Sequence, residues 1–169
     1  MKPIFAMSLC LLSLTLFVAC GENGDHDDHD EHSAEQEACT HAQDSPTAVQ
    51  AGLGFAVVDV NVDQQHTLYE VTLNGTANGT GPYDGFLEYD VTEHADYLIF
   101  TSSEVEVEVY DNTLAKMAIA STGVESCEEL AQSHRVSLDA GSYVIYLGPS
   151  SEQTLSLIIE SEGHDHEHE

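Results

Sequence analysis

The sequence predicts an all-β protein, an antiparallel β-sandwich or jelly roll flanked by disordered, acidic, His-rich tails. Three observations predict this fold class. Between Asp44 and Glu162, apolar and polar residues alternate with a period of two, most clearly in Glu104–Tyr110, as is typical of strands with one buried face. Pairs of Asn, Asp, Gly and Pro separate the alternating segments. Residues 21–43 and 163–169 carry dense negative charge without apolar periodicity, so these segments cannot bury enough surface to fold alone.

About nine short segments carry the alternation, and turn signals such as Asn74-Gly75 and Gly148-Pro149 lie between them. Frequent short strands and turns of this kind are typical of a sandwich. Only Glu125–Gln132 favours a helical turn, with Ser126 as its N-cap. The predicted strands are Phe55–Val62, Thr67–Leu73, Gly85–Val91, Tyr97–Thr101, Glu104–Tyr110, Leu114–Ala120, His134–Leu138, Ser142–Leu147 and Thr154–Glu160.

The first 19 residues have the composition of a secretory signal. Lys2 precedes an apolar stretch that is too short to span a bilayer. This stretch ends in Phe17-Val18-Ala19-Cys20, which resembles the lipobox of bacterial lipoproteins. The resemblance implies cleavage before Cys20, a lipid such as palmitate on that residue and, because Gly21 follows, sorting to the outer membrane. The alternative is an ordinary signal peptide that lies next to a cysteine.

These patterns divide the chain into four segments. They are a signal peptide (1–19), a flexible acidic His-rich linker (20–43), a β-sandwich domain (44–162) and a His-rich acidic C-terminal tail (163–169). Within the domain, Glu93–Phe100 with Val107–Asp111 resembles the middle strands of the bacterial pre-peptidase C-terminal domain, and His134–Leu147 resembles its final hairpin. The resemblance implies a sandwich that acts as a non-catalytic accessory or binding module. With its tails, the whole chain resembles small His/Asp-rich envelope lipoproteins.

The charge balance narrows the class of partner. The chain has 31 Asp and Glu residues against three Lys and Arg residues. Nucleic acid is excluded as a partner, because phosphate binding needs clustered basic residues. The same charge disfavours docking on anionic lipids, so we expect membrane contact through the N-terminal lipid only. It favours cations as ligands, although an acidic surface also serves solubility alone.

Besides Cys20, which the lipobox resemblance assigns to the lipid, two cysteines lie in the predicted linker and domain, Cys39 and Cys127. Two thiols in an oxidising compartment most often pair, and a bridge across a loop of this length would stabilise the fold by roughly 4–5 kcal/mol. Alternatively, Cys39-x-His41 is a thiolate–imidazole pair that could anchor a metal. We favour the disulfide, which leaves His41 free to bind.

Histidines are concentrated in the two acidic ends, where neighbouring carboxylates add both ligands and attractive charge. This composition predicts binding of zinc or another divalent transition metal, with calcium a poorer match to imidazole. The alternative is a solvated spacer whose charge varies with pH. Three histidines within the β region, His66, His94 and His134, are interpreted as ordinary surface or strand residues. The predicted metal ligands are His26, His29, His32, His41, His164, His166, His168, Asp25 and Asp28.

No catalytic motif is present: the sequence has no Gly-x-Ser-x-Gly, His-Glu-x-x-His, phosphate-binding glycine loop or Cys-x-x-Cys. We therefore expect a non-enzymatic, lipid-anchored envelope protein that binds or buffers metal ions and passes them to an envelope metal transporter. The alternative is a surface module that binds protein or polysaccharide, with the tails as spacers. No feature of the sequence assigns an oligomeric state beyond the monomer.

Overall fold

A computed structural model of the chain describes residues 33–55, 61–75 and 81–162. One short helix precedes nine strands in this part of the chain. The elements are α1 (Ala34–His41), β1 (Thr47–Gln50), β2 (Tyr69–Thr72), β3 (Tyr83–Val91), β4 (Ala95–Thr101), β5 (Val107–Tyr110), β6 (Ala120–Gly123), β7 (Gln132–Leu138), β8 (Gly141–Ser150) and β9 (Thr154–Glu162).

The strands form two sheets, with six strands in the order β1-β2-β9-β4-β7-β6 and three in the order β3-β8-β5. All neighbouring strands are antiparallel except β1 and β2, which pair in parallel. Side chains from both sheets form one buried core, and Tyr89 of one sheet contacts Tyr97 of the other edge-to-face, with the ring centroids 5.6 Å apart. The predicted β-sandwich is therefore confirmed.

Part of the outer face of the six-stranded sheet is buried as well. In β4, Tyr97 and Ile99 face the main core, whereas Leu98 and Phe100 belong to a second cluster that includes Ala38 of α1. Since successive strand residues point to opposite faces, helix α1 covers this outer face. Among the described residues, no helix is both long enough and apolar enough to cross a membrane.

A disulfide between Cys39 and Cys127 ties α1 to the segment before β7, with the two Cα atoms 5.8 Å apart. This pairing confirms the predicted bridge, so Cys39 is not a thiolate ligand. The Ser126 hydroxyl, beside the bridge, donates a hydrogen bond of 2.6 Å to the Glu35 carboxylate of α1. Both contacts hold the helix against the sheet.

Three expectations about local structure differ from the fold. Residues 33–43 belong to the segment predicted as a flexible linker, but residues 34–41 are helical. A capping box closes the start of this helix, and the disulfide holds the helix against the sheet. The segment Glu125–Gln132 forms no helix: residues 125–131 are an irregular connection after β6, and Gln132 begins β7. The predicted strand Leu114–Ala120 is replaced by a segment with one isolated bridge at Lys116, and β6 begins only at Ala120.

Most of the predicted strand Phe55–Val62 lies outside the described residues. The signal peptide, the lipidation site Cys20, and the tail ligands also lie outside them: Asp25, His26, Asp28, His29, His32, His164, His166 and His168.

Candidate metal centre

Three side chains from separate elements converge beside the C-terminal end of α1. His41 belongs to the last turn of the helix, His66 to the turn before β2, and Glu160 to β9. Each contributes one potential ligand atom, and these atoms all lie within 4.8 Å of one another. This distance is short enough for one metal ion to contact all three residues.

His41 is held in place by the start and the end of its helix. Ser33 caps the N-terminus in a capping box with Gln36, which satisfies two backbone N–H groups that would otherwise lack partners. At the other end, Nδ1 of His41 lies 2.9 Å from a carboxylate oxygen of Asp44. If Nδ1–H donates to Asp44, Nε2 is left as the ligand atom, an arrangement typical of metal-binding histidines.

His66 occupies a backbone conformation that few residues other than glycine adopt, with φ of 57°. This left-handed conformation costs roughly 1–2 kcal/mol, and its backbone N–H donates to the carbonyl of Ile159 at 3.3 Å. The turn brings the ring next to His41, with centroids 5.4 Å apart. The two imidazoles therefore border the same small space.

Glu160 is the unusual member, because its side chain is fully buried beneath α1. Neither carboxylate oxygen accepts a hydrogen bond of ordinary geometry, although Oε2 lies 2.6 Å from Nδ1 of His66. The pKa of Glu160 is raised to about 8, mainly by burial and also by the nearby Glu37 carboxylate, whereas the backbone N–H of His66 lowers it. A buried carboxylate without full compensation is costly, and a bound cation would remove that cost.

The chemistry of the three groups suits a transition metal. His41 and His66 border a pocket of about 270 Å³, which Gln36, Glu37 and Thr40 also line. Two imidazoles and one carboxylate form a nitrogen and oxygen ligand set that Zn²⁺ accepts. The carbonyl end of a helix also carries partial negative charge, which favours a cation there.

One of the predicted ligands, His41, therefore lies at this centre. His66, interpreted from the sequence as an ordinary β-region residue, lies in the turn before β2 with its ring against His41 and Glu160, and this placement makes it a candidate ligand. Glu160 was not among the predicted ligands, because in the sequence it occupies a polar position of an alternating strand. A signal was nonetheless present, since the unbroken apolar run Leu157-Ile158-Ile159 is typical of a strand covered on both faces.

The other two β-region histidines have ordinary structural roles. His94 pairs with Asp139 at 2.9 Å on the surface. His134 is buried, and its Nδ1 lies 2.8 Å from the Ser121 hydroxyl. Burial lowers the pKa of His134 to about 4, so its ring is neutral near pH 7.

A larger cavity of about 490 Å³ lies beside His134, at the edge between the two sheets. Glu104 and Glu106 border it and are exposed, whereas Glu108 is paired with Lys116. Among the described residues, only the set of His41, His66 and Glu160 brings together three potential metal ligands, so this cavity is not a second metal centre of that kind.

Comparison with protein-family models finds no match to the chain, and comparison with curated protein sequences finds no significant match.

Proposed function

We propose that this protein is a lipid-anchored protein of the bacterial cell envelope that binds and buffers a divalent transition metal, most suitably zinc. The observation that carries the proposal is the convergence of His41, His66 and Glu160 around a fully buried carboxylate. Three elements distant in sequence supply these groups, and Asp44 orients one of the imidazoles. Such an orienting partner is a usual feature of metal-binding histidines.

The acidic tails would provide a second set of ligands, separate from this folded centre. Six of their histidines alternate with carboxylates: His26, His29, His32, His164, His166 and His168. The composition of the tails predicts no fixed structure, so ordering them around an ion would cost conformational entropy, whereas the centre lies in the folded domain. We therefore assign tighter binding to the centre, and weaker capture to the tails, from which ions pass to an envelope transporter.

Titration calorimetry with Zn²⁺ tests this division. The whole chain is compared with a centre variant, His41→Ala with His66→Ala, and with a tail variant in which the six tail histidines are changed to Asn. We expect the centre variant to lose the tighter phase and the tail variant to retain it. Unchanged tight binding in the centre variant would contradict the proposal.

The lipid anchor has its own test. We expect mass spectrometry of the protein from bacterial membranes to find an acylated N-terminus at Cys20, and the Cys20→Ser variant to be released from the membrane. An unmodified Cys20 within an uncleaved or differently cleaved chain would contradict this part of the proposal.

A second candidate function, a surface interaction module, is favoured by one group of side chains. Phe55 packs against Phe86 and Tyr110 on the outer face of the three-stranded sheet, with centroids 4.7 and 4.9 Å apart. Phe55 and the nearby Leu53 remain exposed. A partner that bound there would bind the centre and tail variants as well as the wild type, and Phe55→Ser would weaken it.

A further inference from the structure

Glu37 lies on the same face of α1 as His41. The two residues are four apart in the helix, a spacing that places their side chains one above the other. Both line the 270 Å³ pocket together with His66. The Glu37 carboxylate lies 3.9 Å from Nδ1 of His66, on the side of the ring that also faces Glu160.

The charge of a bound ion decides which carboxylates are needed to balance it. Two carboxylates, those of Glu37 and Glu160, approach the same imidazole, and the second is fully buried. Lys116 and Arg135 are the Lys and Arg residues of the described segments, and both pair with other carboxylates. A divalent cation would balance the two carboxylates, whereas a set with Glu160 alone would leave a net positive charge next to the protein interior.

We infer that Glu37 is the fourth ligand of the centre, so that two imidazole nitrogens and two carboxylate oxygens surround the ion. This inference depends on the proposed function. The Glu37 side chain is about one-third exposed, so it can turn towards the ion by changing rotamer at little cost. Its neighbour Glu35 has a different role, because it accepts the hydrogen bond from Ser126.

A fourth protein ligand determines what the centre can do. Four-coordinate sites without an open position hold their ion and leave no place for a catalytic water or a substrate. Such a site selects ions that accept tetrahedral coordination, such as Zn²⁺ and Co²⁺. It discriminates against Ca²⁺ and Mg²⁺, which take six or more oxygen ligands. The centre therefore retains transition metal and does not catalyse hydrolysis.

Cobalt(II) is a suitable probe, because its visible absorption is intense in four-coordinate sites and weak in five- and six-coordinate sites. The test uses the full chain with its six tail histidines changed to Asn, so that the spectrum reports the folded centre. We expect intense bands in this protein. In Glu37→Gln we expect shifted bands and at least about tenfold lower affinity, because water would replace the carboxylate as the fourth ligand. Glu35→Gln is the matched control, since it removes the same charge from the same helix and should leave the spectrum unchanged.

The possible outcomes distinguish a failure of the fourth ligand from a failure of the metal centre itself. A Glu37→Gln protein with the parent's Co²⁺ spectrum and affinity would overturn the fourth ligand and leave the metal centre standing. Weak bands in the parent protein, with binding that still depends on His41 and His66, would also overturn the four-ligand arrangement alone. No Co²⁺ or Zn²⁺ binding by the parent would overturn the proposed function and this inference together. Far-UV circular dichroism checks that each variant retains its fold.

Discussion

Replacing Glu160 with glutamine is expected to stabilise the metal-free protein and to abolish its response to metal. Glutamine has the shape of the protonated side chain but cannot ionise. Burial raises the pKa of Glu160 from 4.5 to about 8, and each unit of pKa difference between folded and unfolded states corresponds to about 1.4 kcal/mol. At pH 7 this carboxyl therefore lowers the free energy of unfolding by about 3 kcal/mol relative to its value in acid.

The sign of the pH dependence follows from proton binding. The folded state holds the Glu160 proton more tightly than the unfolded state does, so its contribution is most favourable below pH 4.5 and is lost as the pH rises towards 8. Urea denaturation in the presence of a chelator measures the effect. The difference in unfolding free energy between Glu160→Gln and wild type should increase by about 3 kcal/mol between pH 4.5 and pH 7.

Zinc should reverse the order of the two proteins. At a free concentration one hundred times the dissociation constant, a ligand that binds only the folded state stabilises it by about 2.7 kcal/mol. Wild type should gain this stability and Glu160→Gln should not, since tail ligands bind the folded and unfolded chains alike. Glu70→Gln, at an exposed position of β2, is the control. A stability difference that is equal at pH 4.5 and pH 7, or equal stabilisation of both proteins by zinc, would refute this reasoning.

Four further predictions concern stability and affinity. Burial lowers the pKa of His134 from 6.5 to about 4, so the folded state resists its protonation and should lose up to about 3 kcal/mol as the pH falls through that range. His134→Gln should remove this loss, as measured by urea denaturation of both proteins. Reduction of the Cys39–Cys127 bridge, which closes a separation of 88 residues, should lower the unfolding free energy by roughly 4–5 kcal/mol and weaken zinc binding. Ser33→Ala removes the N-cap of α1 and should cost about 1 kcal/mol, measurable in the same denaturation assay. Zinc affinity measured by calorimetry should fall at least about tenfold from pH 7.5 to pH 5.5, because imidazoles protonate near pH 6.5 and then cannot ligate.

Each of these expectations has a clear contrary result. Equal acid sensitivity in wild type and His134→Gln would exclude burial of that ring as its source. A reduced protein with unchanged stability and zinc affinity would mean that the bridge does not position α1. Unchanged stability in Ser33→Ala would mean that the Ser33 cap does not stabilise α1. Zinc affinity independent of pH would rule out histidine as the main ligand.

The sandwich and the disulfide could be predicted from the sequence, since both depend on strong local signals. The alternation in segments such as Glu104–Tyr110 predicts the strands. With Cys20 assigned to the lipid, Cys39 and Cys127 are the two cysteines left in the predicted mature chain, so one pairing is possible. Helix α1 was missed because its residues, AEQEACTH, are mostly polar and only Ala38 is fully buried. Its capping box, Ser33 with Gln36, was a readable start signal, but an isolated helix of this length is marginal and needs the sheet and the bridge.

The metal centre could be predicted only in part, because its members are joined by tertiary structure and not by spacing. His41 was identified from its acidic, His-rich surroundings. His66 is a single histidine in a turn, and only the left-handed backbone at that residue brings its ring to His41. Glu160 has the sequence context of a solvent-facing strand residue, and the covering helix that buries it was itself not predicted.

The most direct test of the account is a crystal structure of the zinc-loaded protein with anomalous scattering measured at the zinc absorption edge. The account predicts an ion within about 2.0–2.2 Å of one nitrogen of His41, one nitrogen of His66 and a carboxylate oxygen of Glu160. Zinc-loaded crystals in which the ion lies elsewhere, with Glu160 still buried without a metal contact, would contradict it.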